Sequence, residues 1–226
     1  MVRSGKVTRV TQGLSGRRAQ AARNDEAILE AAREVFLADP KAPVAAVAER
    51  AGVGMSALYR RFPGKEDMLR RLCQDGLLRY NAEAEAALAG GTPGWAALEA
   101  FLGNVVDADV HSLTVHLAGT FAPTPEMTQE ARRSGELAAR LVEQAKSELR
   151  PGVGLADLGF VLEACAAIRV PDGVRTKELR RRYLAVILAG LRRTDADPDL
   201  PGPPPSADEA NWRWRQGPAP RSVDNG

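Results

Sequence analysis

Residues 48–69 read AERAGVGMSALYRRFPGKEDML, and this stretch decides the fold of the first third of the chain. Apolar residues recur at spacings of three and four on both sides of Gly52, which predicts two short helices joined by a tight turn. Glycine suits the turn because it adopts a left-handed backbone conformation without strain. The pattern predicts a helix-turn-helix, whose first helix crosses a phosphate backbone while the second enters the major groove of DNA.

The second of these helices carries residue types that suit a recognition helix. Its N-terminal tip is small or flexible, which permits close approach to base edges, and its later part is aromatic and basic, which suits phosphates. Helix pairs with a glycine turn also occur in proteins that never bind DNA, and the same side chains also suit a half-buried or solvated face. The predicted DNA-binding residues are Arg23, Met55, Ser56, Ala57, Tyr59, Arg60, Arg61 and Lys65.

Charge is distributed unevenly along the chain. The formal net charge is +2, but residues 1–72 hold 14 Lys and Arg against 8 Asp and Glu, and the remaining residues hold 17 against 21. Residues 1–24 contain six basic residues and no acidic one. The asymmetry favours nucleic acid as the partner of the N-terminal region, with a membrane surface as the second candidate. Gly5, Gly13 and Gly16 interrupt the amphipathic helix that a membrane surface would need.

Several other classes of protein are excluded by composition and motifs. Cys73 and Cys165 are too few for a disulfide framework or a cysteine-rich zinc site, and His111 and His116 are spaced for different faces of a helix. Apolar runs stop short of the roughly 18 residues of a membrane span. The sequence shows neither a nucleophile paired with a base nor a phosphate-binding glycine loop, so no motif predicts an enzyme. We expect a cytoplasmic, non-enzymatic protein without metal or cofactor.

Helical periodicity predicts an all-α protein of about nine helices, with a three-helix DNA-binding domain followed by a helical ligand-binding and dimerisation domain. The first helix is expected to begin at the N-cap Asn24 and to stop at Asp39-Pro40, and Pro43 is expected at the first position of the second helix. The remaining helices are predicted over residues 55–62, 65–89, 95–106, 108–119, 127–149, 155–170 and 176–191. The predicted segments are a flexible basic arm over residues 1–23, a helix-turn-helix domain over 24–72, an effector-binding and dimerisation domain over 73–194 and a proline-rich tail over 195–226, with one amphipathic turn over 208–215.

The order Ala51-Gly52-Val53, Leu58-Tyr59, Phe62 and Lys65 resembles the TetR family of bacterial transcriptional regulators over about residues 24–72. The resemblance implies a homodimeric, all-helical regulator whose C-terminal domain binds a small molecule. It also implies that Met55 and Ser56 face bases, whereas Tyr59, Arg61 and Lys65 contact the DNA backbone.

Three positions depart from the family pattern. Pro43, Gly54 and Ala57 lack hydroxyl groups that family members often have there, which implies fewer contacts with the DNA backbone. We expect the arm with Arg17, Arg18 and Arg23 to compensate through the minor groove, although solvated disorder is the simpler expectation for its first residues.

The resemblance also implies that two copies pair through the last two long helices, although the same apolar stripes also suit packing within one chain. The predicted interface residues are Leu158, Leu162, Leu179, Tyr183, Val186 and Ile187. The candidate effector-pocket residues are Trp95, Phe101, Leu102, Val105, His111, His116, Leu117, Phe121, Leu141 and Glu163. Aromatic and aliphatic residues at helical spacing fill cores more often than they line ligand cavities.

The sequence as a whole predicts a regulator of transcription that binds double-stranded DNA as a homodimer. The expected form is a repressor that occupies a near-palindromic operator and responds to an unknown small-molecule effector. The alternative is an architectural protein that binds DNA without sequence preference and has no effector.

Overall fold

The computed structural model describes residues 8–92, 94–117, 119–196 and 198–212, with side chains from residue 23 onward except at 114–116. The described ranges form ten helices and no strand, which confirms the all-α prediction, and the tenth helix lies in the proline-rich tail. None of them combines the length and the apolar character that crossing a membrane requires. The helices are α1 (Thr8–Ala38), α2 (Val44–Ala51), α3 (Met55–Arg61), α4 (Lys65–Ala89), α5 (Trp95–Asp107), α6 (Val110–Leu117), α7 (Pro125–Ala145), α8 (Leu155–Ala167), α9 (Gly173–Leu191) and α10 (Ala207–Ala210).

The chain divides into two compact units, the first ending at Leu69 and the second beginning at Arg70. The core of the first unit takes one apolar side of each of its helices: Phe36 from α1, Val47 from α2, Leu58 from α3 and Met68 from α4 are fully buried. Burial of four such side chains from four helices provides much of the stability of a domain this small.

The first helix is longer than its sequence signals predict. It begins at Thr8, so the prediction of Asn24 as its N-cap is wrong, and residues 8–23, expected to form a flexible arm, are helical. The segment before Asn24 is rich in Ala, Arg and Gln, whose strong helix propensity outweighs a cap signal in mid-helix and also Gly13 and Gly16, which were wrongly expected to interrupt a helix. The helix ends at Ala38 as predicted, because Asp39 precedes a proline. Pro43 is the N-cap of α2, one position earlier in the helix than expected.

The second unit has a separate core. Leu98, Phe101, Leu141, Leu162 and Leu184 are buried together, so α5, α7, α8 and α9 share one apolar interior. Tyr80 of α4 packs edge-on against Phe101, with ring centroids 5.0 Å apart and planes at 85°, a favoured aromatic geometry.

The helices of this unit begin and end at residues that the periodicity alone missed. α6 starts at Val110 rather than 108 because Asp109 has a positive φ of 51°, which interrupts the helical backbone. α7 starts earlier than predicted because Thr124 caps it, its hydroxyl accepting a hydrogen bond from the Met127 N–H at 3.2 Å, and α7 ends at Ala145. α8 ends at Ala167, and α9 starts at Gly173 because the Asp172 carboxylate caps its first turn.

A buried arginine connects three parts of the second unit. Arg180 of α9 forms an ion pair with Asp109, and its Nε and Nη2 donate to the carbonyl oxygens of Ile168 and Ala166 at 3.0 and 3.2 Å. The Ser112 hydroxyl donates to the same Asp109 carboxylate. The side chain of Arg180 is 5% exposed and that of Asp109 is 23% exposed, so the guanidinium group is shielded from solvent and depends on its hydrogen bonds for stability.

Candidate nucleic-acid interface and ligand cavity

The turn between α2 and α3 depends on Gly52. Its φ and ψ of 65° and 31° are left-handed, its N–H donates to the Glu49 carbonyl oxygen at 3.1 Å, and the Val53 N–H donates to the Ala48 carbonyl oxygen at 3.0 Å. These bonds close the end of α2 in the usual glycine-terminated way. A Cβ atom at Gly52 would meet no atom within 4 Å, so the backbone conformation, and not lack of space, favours glycine here.

The helix α3 buries one side and exposes another. Leu58 is fully buried, Met55 is 38% exposed and Tyr59 is 48% exposed. Ser56 and Arg60 are also exposed, and each pair four apart shares a face of the helix. The exposed surface therefore combines a flexible apolar side chain and a hydroxyl near the N-terminus with an aromatic and a guanidinium group further along. Ala57 is half-buried beside Leu58.

Two predicted phosphate-binding residues already make contacts within the first unit. Arg61 forms an ion pair with Asp25 of α1. The ammonium group of Lys65 donates to the Ala42 carbonyl oxygen at 2.8 Å and lies 5.0 Å from the centroid of the Phe36 ring. Burial lowers the pKa of Lys65, and the charge of Asp39 opposes that shift. Each cation has further N–H donors, but their visible contacts hold the helices of the unit together.

The capping positions expected to depart from the family pattern do so in the structure. Pro43 and Gly54 are the N-caps of α2 and α3, and neither supplies a side-chain hydrogen bond to its helix. Arg23 is an exposed residue of α1. The side chains of Arg17 and Arg18, expected to reach the minor groove, lie outside the described residues.

The second unit contains a cavity of about 660 Å³. Most of its wall is aliphatic or small, and a few polar side chains are placed among these, as in typical sites for small organic molecules. The wall comprises Cys73, Gly76, Leu77, Tyr80, Val110, His111, Pro123, Met127, Thr128, Ala131, Ser134, Gly135, Ala138, Leu155, Ala156, Leu158, Gly159, Leu162, Glu163, Ala207, Ala210 and Asn211.

Most ionisable groups in this wall are neutral at pH 7. Burial lowers the pKa of His111 to about 4, an effect that the Asp109 carboxylate partly opposes. Burial raises the pKa of the Cys73 thiol and of the Tyr80 hydroxyl to about 12. Glu163 adds a half-buried carboxyl group, and no Lys or Arg is among the residues described along the wall. An anionic ligand would therefore find no basic partner in the wall.

The structure separates the predicted effector-pocket residues into two groups. His111 and Glu163 line the cavity. The larger group is buried outside its wall, in agreement with the tendency of such residues to fill cores, and comprises Trp95, Phe101, Leu102, Val105, Leu117, Phe121 and Leu141. His116 belongs to α6, but its side chain is outside the description.

The sequence analysis missed the residues that make the space. Thr128, Ala131, Gly135 and Ala138 recur at three- and four-residue spacing, so α7 presents a strip of small side chains to the cavity. Such a strip beside bulky neighbours is the sequence feature that would have indicated a hollow rather than a filled core.

The predicted dimer residues also fall into two groups. Leu158 and Leu162 are each 3% exposed and belong to the core of the second unit, so they are not available to another chain. On α9, Leu179 and Ile187 are half-buried, and Tyr183 and Val186 are 49% and 61% exposed. On α8 the exposed large apolar residues are Leu155, which lines the cavity, and Phe160, which the sequence analysis did not include.

Comparisons with known proteins agree with this geometry. Residues 28–72 match the model of the family described as bacterial regulatory proteins, tetR family. None of the curated proteins compared with the chain matches it.

Solved structures match most of the chain. A TetR regulatory protein from Mycobacterium vanbaalenii is 27% identical, with 78% of this chain and 99% of that chain covered and a TM-score of 0.52. A TetR regulator from Streptomyces coelicolor is 24% identical, with coverages of 75% and 98% and a TM-score of 0.52. The TetR-like regulator LfrR from Mycobacterium smegmatis, in complex with proflavine, is 23% identical, with coverages of 79% and 99% and a TM-score of 0.56.

The exposed helix α3 after a glycine turn, together with the family match over residues 28–72, indicates a helix-turn-helix protein of the class that binds DNA and regulates transcription. Over residues 28–72 the chain matches the tetR family of bacterial regulatory proteins, as the sequence pattern indicated, and its fold is similar to that of solved TetR regulators. Members of this family are transcription factors rather than enzymes.

Proposed function

We propose that the protein is a ligand-responsive transcriptional repressor that acts in the cytoplasm as a homodimer on a near-palindromic operator. The observation that carries this proposal is the exposure of Met55, Ser56, Tyr59 and Arg60 on a helix anchored by fully buried Leu58. A helix held from one side and open on the other is the arrangement that the major groove accepts.

The exposed residues of α3 divide by role. Met55 and Ser56 lie at the N-terminal tip, where a recognition helix approaches base edges, and Tyr59 and Arg60 lie where phosphates flank the groove. Arg61 and Lys65 keep α3 and α4 in place through Asp25 and Ala42, and their remaining donors add phosphate contacts.

The cavity of the second unit is the proposed effector site. Its volume of about 660 Å³ is within the range of drug-sized ligand sites. Its wall favours an uncharged or cationic, largely apolar molecule with one or two hydrogen-bonding groups. LfrR, which shares the fold, has been solved with proflavine, and this supports a small organic ligand as the effector class.

The proposed dimer uses the outer face of α8 and α9. Leu179, Tyr183 and Val186 follow one another at spacings of four and three, so they share a face of α9 that one chain leaves exposed or half-exposed. We include the exposed Phe160 of α8 in the same interface. Pairing of two such faces builds a four-helix bundle between chains.

The dimer is tested by light scattering or sedimentation. Tyr183→Glu with Val186→Glu is expected to convert dimer to monomer, because two carboxylates would be buried in the interface. Val174→Glu is the matched control: Val174 is 70% exposed, but the helical repeat places it opposite the Leu179–Val186 face. A dimer that survives the double substitution contradicts this interface.

In this proposal the effector acts by population shift. Two recognition helices in a dimer bind successive major grooves only when they are about 34–36 Å apart. A ligand that binds more tightly to a dimer with another spacing lowers the affinity of the protein for the operator. The size of this decrease is limited by the difference between the ligand's affinities for the two forms of the dimer.

The proposed function is tested by footprinting and gel-shift titration with the DNA that flanks the gene, at several salt concentrations. Arg60→Ala is expected to weaken binding to all sequences alike and to reduce the salt slope by about 1, whereas Met55→Ala changes the sequence preference. Arg140→Ala is the matched control, since Arg140 is an exposed arginine of α7.

Each result has a definite meaning for the proposal. Protection of a short near-palindrome that depends on Met55 supports sequence-specific regulation. Binding that is equally strong on all sequences supports the alternative, an architectural protein. Binding that neither Arg60→Ala nor Met55→Ala alters would show that α3 is not the recognition helix.

A further inference from the structure

The proline-rich tail contributes to the cavity of the second unit. Residues 198–212, which we call the C-terminal strap, include α10, and Ala207, Ala210 and Asn211 form part of the cavity wall. α10 packs against α8, where a Cβ atom at Gly159 would lie 4.0 Å from the Ala210 Cβ. A side chain at position 159 would therefore be in van der Waals contact with the strap, and Gly159 and Ala210 both border the cavity.

The strap is held much less firmly than the wall it faces. Leu158, Leu162, Met127 and Ala138 on the other elements of the wall are all 3% exposed or less. In contrast, no residue of the strap is buried, and α10 has a single turn of four residues. Segments that bury little apolar surface open locally at a lower free energy than the core.

Hydrogen bonds within the strap keep its shape. The Ser206 hydroxyl accepts from the Glu209 N–H at 3.2 Å, the Glu209 carboxylate accepts from the Ser206 N–H at 2.7 Å, and the Asn211 side chain donates to the Ala207 carbonyl oxygen at 2.8 Å. This capping box holds α10 as a small preformed piece.

The hydrogen bond that joins the strap to Arg150 is weak. Arg150 Nη2 donates to the Pro198 carbonyl oxygen at 2.5 Å, but Arg150 Nε is buried without a hydrogen-bond acceptor among the described residues. The desolvation of an unsatisfied donor offsets part of what the bond contributes.

We propose that the C-terminal strap is a movable wall of the ligand cavity, beneath which the effector enters and leaves. The inference rests on the proposed function, in which this cavity binds a small molecule. Opening of the strap exposes the cavity between α8 and α7, and closure places Ala207, Ala210 and Asn211 against the ligand. The strap thereby sets the lifetime of the bound state, and Asn211 adds the carbonyl oxygen of its amide to the groups that select the ligand.

A reversible disulfide tests the movement. The Cβ separation of 4.0 Å at positions 159 and 210 fits a disulfide, so Gly159→Cys with Ala210→Cys should lock the strap when oxidised. Cys73 and Cys165 are buried, and burial raises the pKa of both thiols, so the oxidant acts on the introduced pair. Mass spectrometry of the full chain confirms the bond, and the two single variants are the controls.

The readout is exchange of N-phenyl-1-naphthylamine, an uncharged apolar fluorescent probe, followed by stopped flow. In the oxidised double variant, the rates of probe binding and release should both fall at least about tenfold, and reductant should restore them. Deletion of residues 198–226 should raise the release rate by a similar factor, whereas deletion of residues 213–226 should leave it unchanged.

The outcomes separate this inference from the function on which it rests. Probe that binds the unmodified protein but exchanges equally fast from locked, reduced and truncated chains overturns the strap and leaves the cavity site intact. Failure of the two cysteines to form a disulfide also overturns it, because the contact of α10 with α8 would be absent. Failure of the unmodified protein to bind the probe overturns the cavity as an apolar ligand site, and the strap with it.

Discussion

The two units of this protein use their side chains in opposite ways. In the first unit the interior is filled, and the distinctive groups, Tyr59 and Arg60, project from a short helix into solvent. In the second unit the distinctive groups are inside: His111 and Glu163 line a cavity, and Arg180 forms a buried ion pair with Asp109.

Under the proposed function, this difference separates DNA binding from stability in the first unit and couples ligand binding to stability in the second. Exposed residues on α3 are replaceable with little effect on folding, because surface substitutions rarely change the free energy of unfolding. Interior polar groups of the second unit are tied to the packing around them, so changes there alter both stability and the shape of the cavity.

The largest expected effect comes from breaking the buried ion pair. Arg180→Ala should lower the free energy of unfolding by about 3–5 kcal/mol, because Asp109 loses its counter-charge and the carbonyl oxygens of Ala166 and Ile168 lose the guanidinium donors. Denaturant titration measures the loss, and hydrogen exchange should place it in α8 and α9. Arg181→Ala is the neighbouring control: its pair with Asp107 is on the surface, so little change is expected. Equal effects of the two substitutions would remove the contrast between interior and surface.

A smaller effect is expected from acid. The pKa of His111 is lowered to about 4 from an ordinary 6.5, so the unfolded chain binds a proton more readily than the folded one. The corresponding stability is complete above about pH 6.5 and is lost as the pH falls toward 4, by up to about 3 kcal/mol. Unfolding titrations of the protein and of His111→Gln across this range measure it. The variant should lack this part of the pH dependence, and identical profiles would contradict the neutral buried imidazole.

The smallest effect is expected at the turn of the first unit. Gly52→Ser should lower the free energy of unfolding by about 1 kcal/mol, because serine is strained at a φ of 65°. Gly54→Ser is the matched control, since Gly54 caps α3 with an extended backbone and serine can supply the missing cap bond, with a gain of a few tenths of a kcal/mol. Thermal unfolding monitored by circular dichroism distinguishes the opposite signs. Loss of stability in both variants would mean that crowding, rather than backbone conformation, governs the turn.

The sequence determined the first unit more fully than the second. The turn at Gly52, the buried Leu58 and the exposed Tyr59 follow from local spacing and from the conformational freedom of glycine. The contacts of Arg61 with Asp25 and of Lys65 with Ala42 could not be predicted in this way, because they join residues that are 36 and 23 positions apart, respectively. Such pairs depend on how helices pack, which periodicity does not report.

The second unit shows why site residues are harder to predict than helices. Bulky residues such as Trp95 and Phe101 were predicted to contact the ligand, but their size lets them fill the core. The cavity instead arises where side chains are small, and its polar groups come from helices that are distant in sequence. Leu158 and Leu162 were expected at an interface because an apolar stripe alone does not distinguish an inner from an outer face.

The strip of small residues on α7 makes the cavity adjustable. At Gly135, which borders the cavity, an added Cβ would meet no atom within 4 Å, so a small side chain fits there without displacing its neighbours. Single substitutions at this position would reduce the size of the ligand that fits the cavity while the surrounding helices keep their positions. Under the proposed function, small steps of volume at this position change which small molecule the cavity accepts.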